Sequence, residues 1–352
     1  MKTTTIKDIA QKAGVSVSTV SRVLNNHPSV KPEKRQLVQQ IIQQENFQPS
    51  MLARGMISNQ TKNIGVLLSD INNPYFTDLV VQIELVSREL GYSLLMLNTS
   101  TAGSMKTNDP VQRELDAFTI IMEKKVDGLI ILGGEIDQVK PDNRYIESLN
   151  KTSQTIPTVI VGQPNKAITA TFLPRALNKG TTLAVHHLLS LGYRNIGFIG
   201  GETGITITEE RLAAFRKTLT IYSKINEEWI VLSDFYAQSG YQSTEKLLMM
   251  DQLPEAILAI NDKVALGAIR CLNDHHLNCP EDLAIVSCDA FLDSEFITPR
   301  LTTVDQNNKE IGKNAVQLLM KLLQEDQDIT IPTHYPELII RESCGIQLKG
   351  TR

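Results

Sequence analysis

The sequence predicts an α/β protein in two parts, a small helical N-terminal unit followed by a large body that contains two parallel sheets. Charge divides the chain at the same place: residues 1–62 hold nine Lys or Arg against three Asp or Glu, and the remainder holds 26 basic and 36 acidic residues. The first part shows helical periodicity, whereas the second alternates short apolar runs with amphipathic stretches, about 30 residues apart. A basic unit on an acidic body indicates that the unit binds a polyanion.

Composition and cysteine usage restrict the class of protein. Of 352 residues, 41% are hydrophobic and 21% are charged, which excludes a collagenous or disordered chain and suits two or three domains. The segment MKTTTIKDIAQKAG lacks an apolar secretory core, and no apolar stretch reaches the roughly 18–20 residues that span a bilayer. The four cysteines form no CxxC spacing, so we expect reduced thiols in a cytoplasmic protein without membrane contact. They are Cys271, Cys279, Cys288 and Cys344.

The pattern of residues 5–44 predicts three short helices. Thr5 is suited to cap the first helix, and Gly14 to end it. Ser16 is suited to cap the second, and Pro32 to start the third. The apolar stripes that we expect to be buried are Ile6, Ile9, Ala10 and Ala13, then Val17, Val20, Val23 and Leu24, then Val38, Ile41 and Ile42.

Two helices joined by a short turn that contains glycine predict a helix-turn-helix, in which the second helix enters the DNA major groove. Val17, Ser18 and Arg22 would then face the bases, and Arg22 is the strongest candidate because a guanidinium can bond guanine O6 and N7 together. The residues expected at phosphates are Thr5, Ser16, Ser21 and Asn25. The alternative is a three-helix module that binds protein, against which the basic excess and the exposed hydroxyl side chains argue.

Strands that alternate with helices from residue 63 onward predict βα units in two parallel sheets. Ligands of such sheets bind beyond the carboxyl ends of the strands, so the cleft between two lobes is the expected pocket. The expected strands are Ile64–Ser69, Ser93–Leu97, Gly128–Leu132 and Thr158–Val161, then Ile196–Ile199, Ile230–Leu232, Ala256–Ile260 and Leu283–Ser287. The expected helices include Phe76–Leu90, Lys179–Leu191, Glu210–Leu219, Gly240–Met250 and Lys263–Asn273.

The runs IKDIAQKAGVSVSTVSRVLNNHPSVKPEKRQLV and FQPSMLARGMISNQTKNIGVLLSDINNPYF resemble the LacI/GalR family of bacterial transcription regulators. The resemblance extends over almost the whole chain, and its AGVSxxTVSRVLN portion is highly specific. It implies a helix-turn-helix headpiece (1–48), a hinge helix with a linker (49–61), and an effector-binding and dimerisation body (62–352) that is similar to a periplasmic binding protein. The implied N-lobe comprises about 62–162 and 305–328, and the implied C-lobe about 163–304 and 329–345.

The same resemblance implies how the protein acts. A homodimer would bind a pseudo-palindromic operator in double-stranded DNA and repress carbohydrate-utilisation genes under the control of a small sugar, without a cofactor. Residues 49–57 would form a hinge helix that folds on DNA, and Met56 would be the apolar wedge in the minor groove. Ala53 and Arg54 lie beside it, and Gly55 weakens the isolated helix by about 1 kcal/mol.

Nine effector-binding positions are carried over by the resemblance. Arg211, in EERLAAF, matches an arginine that binds a polar group of the effector, and Phe235, in SDFYAQSGY, matches an aromatic that stacks on it. The others are Asn73, Tyr75, Phe76, Asn261, Asp262, Asp289 and Gln306. Aromatic faces together with Arg, Asp, Asn and Gln suit a polyol. In a simpler interpretation, Phe235 and Tyr75 are core aromatics and Asp262 is a helix cap.

Two segments depart from the family pattern. Many members carry an Asp-Arg pair after the fourth strand, where this chain has Gly162-Gln163-Pro164, and the common Asp-Asn before the next helix is replaced around Leu177-Asn178. The segments IPTVIVGQP, ITITEERLAAF and LIIRESC look most like maltose or maltodextrin regulators of Gram-positive bacteria. The resemblance therefore implies maltose or a related glucoside as the effector.

Other functions find less support in the sequence. Cys271, His275 and Cys279 recur at helical spacing, but LNCPEDLAI predicts that the helix stops near His276, so we expect no metal site. The run at Gly200–Gly204 lacks the G-x-G-x-x-G order, and no P-loop, G-x-S-x-G or H-E-x-x-H occurs. We therefore assign no catalytic residue. A cytoplasmic sugar-binding or enzymatic α/β protein with a basic appendage remains the alternative.

Overall fold

The computed structural model describes residues 4–24, 27–45, 47, 60–103, 107–326, 330 and 335–349. Two units make up the chain, Met1–Lys62 and Asn63–Arg352. The predicted hinge helix and the predicted DNA contacts of Asn25, Ala53, Arg54 and Met56 lie outside the described residues. None of the described helices is long and apolar enough to cross a membrane.

The described part of the N-terminal unit contains three helices, as the sequence predicts for residues 5–44: α1 (Ile6–Lys12), α2 (Val17–Leu24) and α3 (Pro32–Gln44). Thr5 caps α1 in a capping box, because its hydroxyl accepts the N–H of Asp8 at 3.4 Å and the Asp8 carboxylate accepts the N–H of Thr5 at 2.7 Å. The apolar stripes meet in a core of Ile9, Ala10, Ala13, Val20, Val23, Val30 and Val38. Val17, which the stripe pattern placed inside, is 42% exposed.

The first sheet of the body has the strand order β2-β1-β3-β4-β5, and all its strands are parallel. Its strands are β1 (Asn63–Leu68), β2 (Ser93–Asn98), β3 (Gly128–Leu132), β4 (Thr158–Val161) and β5 (Thr171–Leu173). Helices α4 (Pro74–Glu89), α5 (Pro110–Lys124) and α6 (Asn143–Thr155) follow β1, β2 and β3. Apolar cores cover both faces of the sheet, which explains why its strands are continuous apolar runs. This sheet and its helices are called the first lobe.

The second sheet has the order β11-β10-β9-β8-β6-β7. Its strands are β6 (Ile196–Ile199), β7 (Ile230–Val231), β8 (Ala256–Ala259), β9 (Ala284–Cys288), β10 (Thr302–Asp305) and β11 (Glu337–Ile339). Its helices are α7 (Leu177–Ser190), α8 (Thr206–Leu219), α9 (Ala237–Leu248) and α10 (Asp262–Asp274). The predicted parallel sheet ends in an antiparallel edge, because β11 runs opposite to β10. This sheet and its helices are called the second lobe.

The chain passes between the lobes at places that differ in part from those expected. β5 pairs with β4, so the first sheet continues beyond residue 162, where the C-lobe was expected to begin. After β10, helix α11 (Asn308–Leu323) returns to pack on α4 and β4, and β11 then returns to the second sheet. The short helix α12 (Ile346–Lys349) follows β11.

Helices α9 and α10 approach each other closely through two glycines. A Cβ on Gly267 would lie 1.8 Å from the carbonyl oxygen of Ala237, and one on Gly240 would lie 2.1 Å from that of Val264. Only glycine permits this backbone contact. It fixes the N-termini of the two helices, which hold Tyr236 and Asn261 at the edge of the second sheet.

Candidate effector pocket and DNA-binding surface

A cavity of about 350 Å³ lies between the two lobes, at the carboxyl ends of their strands. Seven of the nine predicted effector positions line it: Asn73, Tyr75, Phe76, Arg211, Phe235, Asn261 and Asp289. Asn73 also caps α4, since its side chain accepts the N–H of Tyr75 at 3.1 Å. The fold thus brings these seven residues together at the carboxyl ends of the strands, where the sequence predicts the pocket.

An ion pair forms the base of the cavity on the side of the second lobe. Nη2 of Arg211 lies 2.5 Å from Oδ1 of Asp289, and the side chains are 2% and 8% exposed. Nη1 of Arg211 donates to the carbonyl of Ile260, which follows β8. Nη2 of Arg175, which follows β5, lies 3.6 Å from the same oxygen of Asp289. Guanidinium groups from both lobes therefore approach one buried carboxylate.

Asp262 and Gln306 do not line this cavity, although both were expected in the effector site. The Asp262 carboxylate instead accepts the hydroxyls of Ser287 and Thr303 at 2.6 Å each and the N–H of Phe291 at 2.8 Å. Burial raises its pKa to about 7, and the two hydroxyls oppose this shift. Gln306 is buried against α7, where a Cβ on Gly180 would lie 2.5 Å from its Nε2 atom. Asp262 thus acts as a structural anchor for the loop that carries Asp289.

Aromatic rings form two walls of the cavity. Tyr75 and Phe76 pack edge to face with centroids 5.0 Å apart, and the Arg175 guanidinium lies 4.1 Å from the centroid of Tyr75. Burial raises the pKa of Tyr75 to about 12, so the ring stays neutral at physiological pH. Phe235 lines the second-lobe side, where its carbonyl accepts Nδ2 of Asn261 at 3.0 Å. The wall of the cavity therefore combines flat apolar ring faces with polar side chains.

Carboxylates outnumber guanidinium groups among the described residues of the lining. These include five acidic residues and two arginines, namely Glu135, Asp137, Glu202, Asp234 and Asp289 with Arg175 and Arg211. Burial raises the pKa of Asp137 to about 6, and Arg175 opposes this shift. Glu114 lies behind this wall, where its carboxylate accepts the N–H of Glu135 at 2.9 Å. The lining is rich in acceptors.

Contacts between the lobes frame the cavity. The Tyr236 hydroxyl donates to the carboxylate of Asp70, which follows β1. The N–H of Val139 donates to the carbonyl of Gly204 at 2.8 Å, and Nε2 of Gln163 donates to Glu210 at 2.9 Å. These direct bonds hold the two lobes together at the edges of the cavity.

Sequence reasoning missed Asp70, Asp137, Arg175 and Tyr236. Asp70 and Arg175 each lie two residues beyond the end of a parallel strand, which is the signal that could have found them. The strand before Arg175 has only three residues and was not predicted. Asp137 ends a short 3₁₀ helix, Glu135–Asp137, that the apolar pattern does not reveal.

The predicted base-contacting residues lie on the outer surface of the N-terminal unit. Val17, Ser18 and Arg22 are exposed on α2. The Ser16 hydroxyl accepts the N–H of Thr19 at 3.2 Å, so Ser16 caps α2 as predicted. Thr5 and Ser16 lie at helix N-termini, where phosphate binding is favoured, and Ser21 is half-buried. This arrangement has the geometry of a helix-turn-helix.

Among the described residues, no group of His, Cys, Asp and Glu is arranged to hold a metal ion. Cys271 and His275 lie at the end of α10, with 3.8 Å between Sγ and Nδ1. Helix α10 ends at Asp274, two residues before the predicted stop. Cys279 instead donates to the carbonyl of Ser343.

The fold and the cavity define a regulator with a helix-turn-helix and a two-lobed body like a periplasmic binding protein. The sequence pattern of bacterial regulatory proteins of the lacI family matches residues 5–50, and that of a periplasmic binding protein-like domain matches residues 185–344. The HTH-type transcriptional repressor PurR of Pasteurella multocida is 33% identical over 348 residues, which cover 98% of this chain and 99% of that protein. This chain belongs to the LacI family and is a DNA-binding transcriptional repressor rather than an enzyme.

Solved structures agree with this assignment. The lac repressor dimer bound to operator and the anti-inducer ONPF superposes with a TM-score of 0.83 at 26% identity and covers 97% of this chain and 99% of that chain. A LacI family regulator from Enterococcus faecium with bound ribose gives a TM-score of 0.66 at 27% identity, covering 80% and 98%. The predicted family is confirmed. The narrower prediction of a maltose regulator finds no support in these comparisons, since the Pasteurella multocida relative is named a PurR repressor.

The buried Glu114 makes stability depend on pH. Burial raises its pKa from 4.5 to about 8, so between these values the folded protein keeps a proton that the unfolded chain releases. Stability from this group is therefore lost as pH rises, by at most about 1.4 kcal/mol per pH unit. We expect Glu114→Gln to flatten the free energy of unfolding between pH 5 and 8, measured by urea denaturation. The exposed Glu123→Gln, on the same helix, is the control, and an equal slope in parent and Glu114→Gln would contradict the assignment.

Proposed function

We propose that this protein represses carbohydrate-utilisation genes, that it binds a pseudo-palindromic operator as a homodimer, and that a small neutral sugar in the cavity controls its operator affinity. The observation that carries the sugar proposal is the lining of five carboxylates, two guanidinium groups and several aromatic rings. Hydroxyl groups donate to carboxylates and accept from guanidinium groups, whereas aromatic faces cover the apolar C–H face of a sugar ring.

Charge argues against an anionic effector such as a sugar phosphate. The described part of the lining holds three more carboxylates than guanidinium groups, and these like charges repel an anionic ligand. One arginine, Arg211, is already bonded to Asp289 and to a backbone carbonyl. A neutral ligand with many O–H donors fits this surplus of acceptors. Maltose or a related glucoside is the first candidate, and the Enterococcus faecium relative with bound ribose supports a sugar.

A purine base is the second candidate, since relatives named PurR are 33–34% identical over nearly the whole chain. Tyr75, Phe76 and Phe235 could flank a planar ring. A purine has few N–H donors, however, and offers fewer hydrogen bonds to the acidic lining than a sugar with several hydroxyl groups does. The acceptor-rich lining therefore favours the sugar.

Homodimerisation and operator binding follow from the family and from the N-terminal unit. One headpiece reads half a site, so a palindromic operator needs two. The lac repressor binds its operator as a dimer. Val17, Ser18 and Arg22 are the proposed base contacts, with Thr5, Ser16, Ser21 and Asn25 at phosphates. Ala53, Arg54 and Met56 are proposed to contact the minor groove.

Arg22→Ala should weaken binding to the specific operator by about 1–3 kcal/mol and change binding to random DNA much less. The reason is that a guanidinium at the exposed face of α2 can bond a guanine edge, whose loss removes discrimination. Gel-shift titration at fixed salt measures both affinities. Lys34→Ala, an exposed charge on α3, is the matched control. Equal losses of Arg22→Ala on operator and random DNA would show that Arg22 contacts only phosphates.

Calorimetry of the full-length protein tests the effector with maltose, glucose, cellobiose, ribose and hypoxanthine. We expect a sugar to bind, and Phe235→Ala to weaken it about 10- to 100-fold, because an aromatic platform is lost. Tyr222→Ala, which removes an aromatic ring exposed outside the cavity, should bind as the parent does. Binding of hypoxanthine alone would favour the purine candidate, and no binding by any of the five would contradict both.

A further inference from the structure

Arg175 has donors without acceptors inside the cavity wall. The residue is 7% exposed, yet Nε and Nη2 make no hydrogen bond within the described part of the chain. Its guanidinium lies over the Tyr75 ring, 4.1 Å from the centroid, and Asp289 at 3.6 Å is already bonded to Arg211. A buried donor that lacks an acceptor costs about 1–3 kcal/mol, and more when it is charged. Arg175 is a lining residue of the cavity, so a ligand that reaches this side chain can supply the acceptor.

Asp137 supplies the complementary acceptor. Its carboxylate lines the cavity together with Arg175 and accepts no hydrogen bond from the residues that the structure describes. Arg175 is the charge that opposes the effect of burial on Asp137. A guanidinium only donates hydrogen bonds, and an ionised carboxylate only accepts them. Arg175 and Asp137 thus offer a ligand a hydrogen-bond donor and a hydrogen-bond acceptor.

Two glycines keep the space around Asp137 open. A Cβ on Gly133 would lie 3.0 Å from Oδ2 of Asp137, and a Cβ on Gly162 would lie 3.7 Å from Oδ1. A small annex of about 10 Å³ adjoins the main cavity there, lined by Asp137, Gly162, Arg175 and Tyr75 among others. This volume holds about one water-sized group. A single hydroxyl fits, whereas a ring or a phosphate group does not.

We propose that Asp137 and Arg175 form a subsite for one hydroxyl of a neutral sugar, and that this subsite determines which sugar the protein accepts. The proposal rests on the proposed sugar effector. A hydroxyl donates to Asp137 and accepts from Arg175 through one oxygen atom, which neither an ammonium group nor a carbonyl does. An anionic group would satisfy Arg175 but would be repelled by Asp137. The pair is therefore selective for O–H groups.

The test uses the full-length protein and calorimetry with the panel sugar that binds the parent most tightly, together with its monodeoxy analogues. Asp137→Asn and Arg175→Gln should each weaken that sugar at least tenfold. Asp116→Asn, which removes an exposed carboxylate on α5, should bind it as the parent does. In the parent, one deoxy analogue should bind at least tenfold more weakly than the full sugar. In Asp137→Asn, that analogue and the full sugar should bind with equal affinity. A variant that only disturbed the structure would bind both ligands more weakly and would still discriminate between the full sugar and the deoxy analogue.

The possible outcomes distinguish failure of the subsite proposal from failure of the proposed sugar effector. If the parent binds a sugar and Phe235→Ala weakens it, but Asp137→Asn and Arg175→Gln bind within twofold of the parent, the subsite is wrong and the proposed function stands. If the parent binds none of the sugars, both fail. Where thermal unfolding shows that these variants are misfolded, Gly162→Ser is used instead, since it fills the annex and removes no charge. It should also weaken binding at least tenfold, and unchanged affinity would overturn the subsite.

Discussion

The buried carboxylate of Asp289 is the group on which the arrangement of the pocket depends. Its residue has a φ of +101°, a conformation that non-glycine residues rarely adopt, and its N–H donates to the carbonyl of Val304 on β10 at 2.8 Å. Arg211 joins it to the carbonyl beyond β8, so one ion pair connects the ends of three neighbouring strands. A buried charge without its partner is strongly destabilising, so both members of the pair are needed to stabilise this geometry.

The hydrogen bonds of Asp262 explain how the loop that carries Asp289 keeps its backbone conformation. Asp262 binds Ser287 on β9, Thr303 on β10 and the backbone of Phe291, so it ties both sides of the loop that carries Asp289. The carboxylate in the pocket is thereby positioned before a ligand arrives. Arg175 approaches it from the first lobe, and the Tyr236–Asp70 bond joins the lobes at another edge. A ligand that bonds to residues of both lobes would add to these contacts between the lobes. It would therefore raise the fraction of molecules in which the lobes are closed.

The sequence predicted the architecture better than the details of the pocket. Alternating apolar runs located β3, β4 and β6 at their observed bounds, because strands buried on both faces are continuous apolar segments. The three-residue β5 is too short to show a pattern, and Arg175 was missed with it. Asp262 and Asn261 follow the same strand, but only Asn261 lines the cavity, since the hydroxyls of Ser287 and Thr303 bond to Asp262. Side-chain direction of this kind depends on partners distant in sequence.

The most direct measurement of the central claim is a double-mutant cycle on Arg211 and Asp289, read as the free energy of unfolding in urea at pH 7. We expect Asp289→Asn and Arg211→Met each to destabilise the body by about 3–5 kcal/mol, because each leaves a buried group unpaired. The double variant should lose less than the sum of the two by at least about 1 kcal/mol. If the two losses simply add, the ion pair is not the element that holds the pocket together.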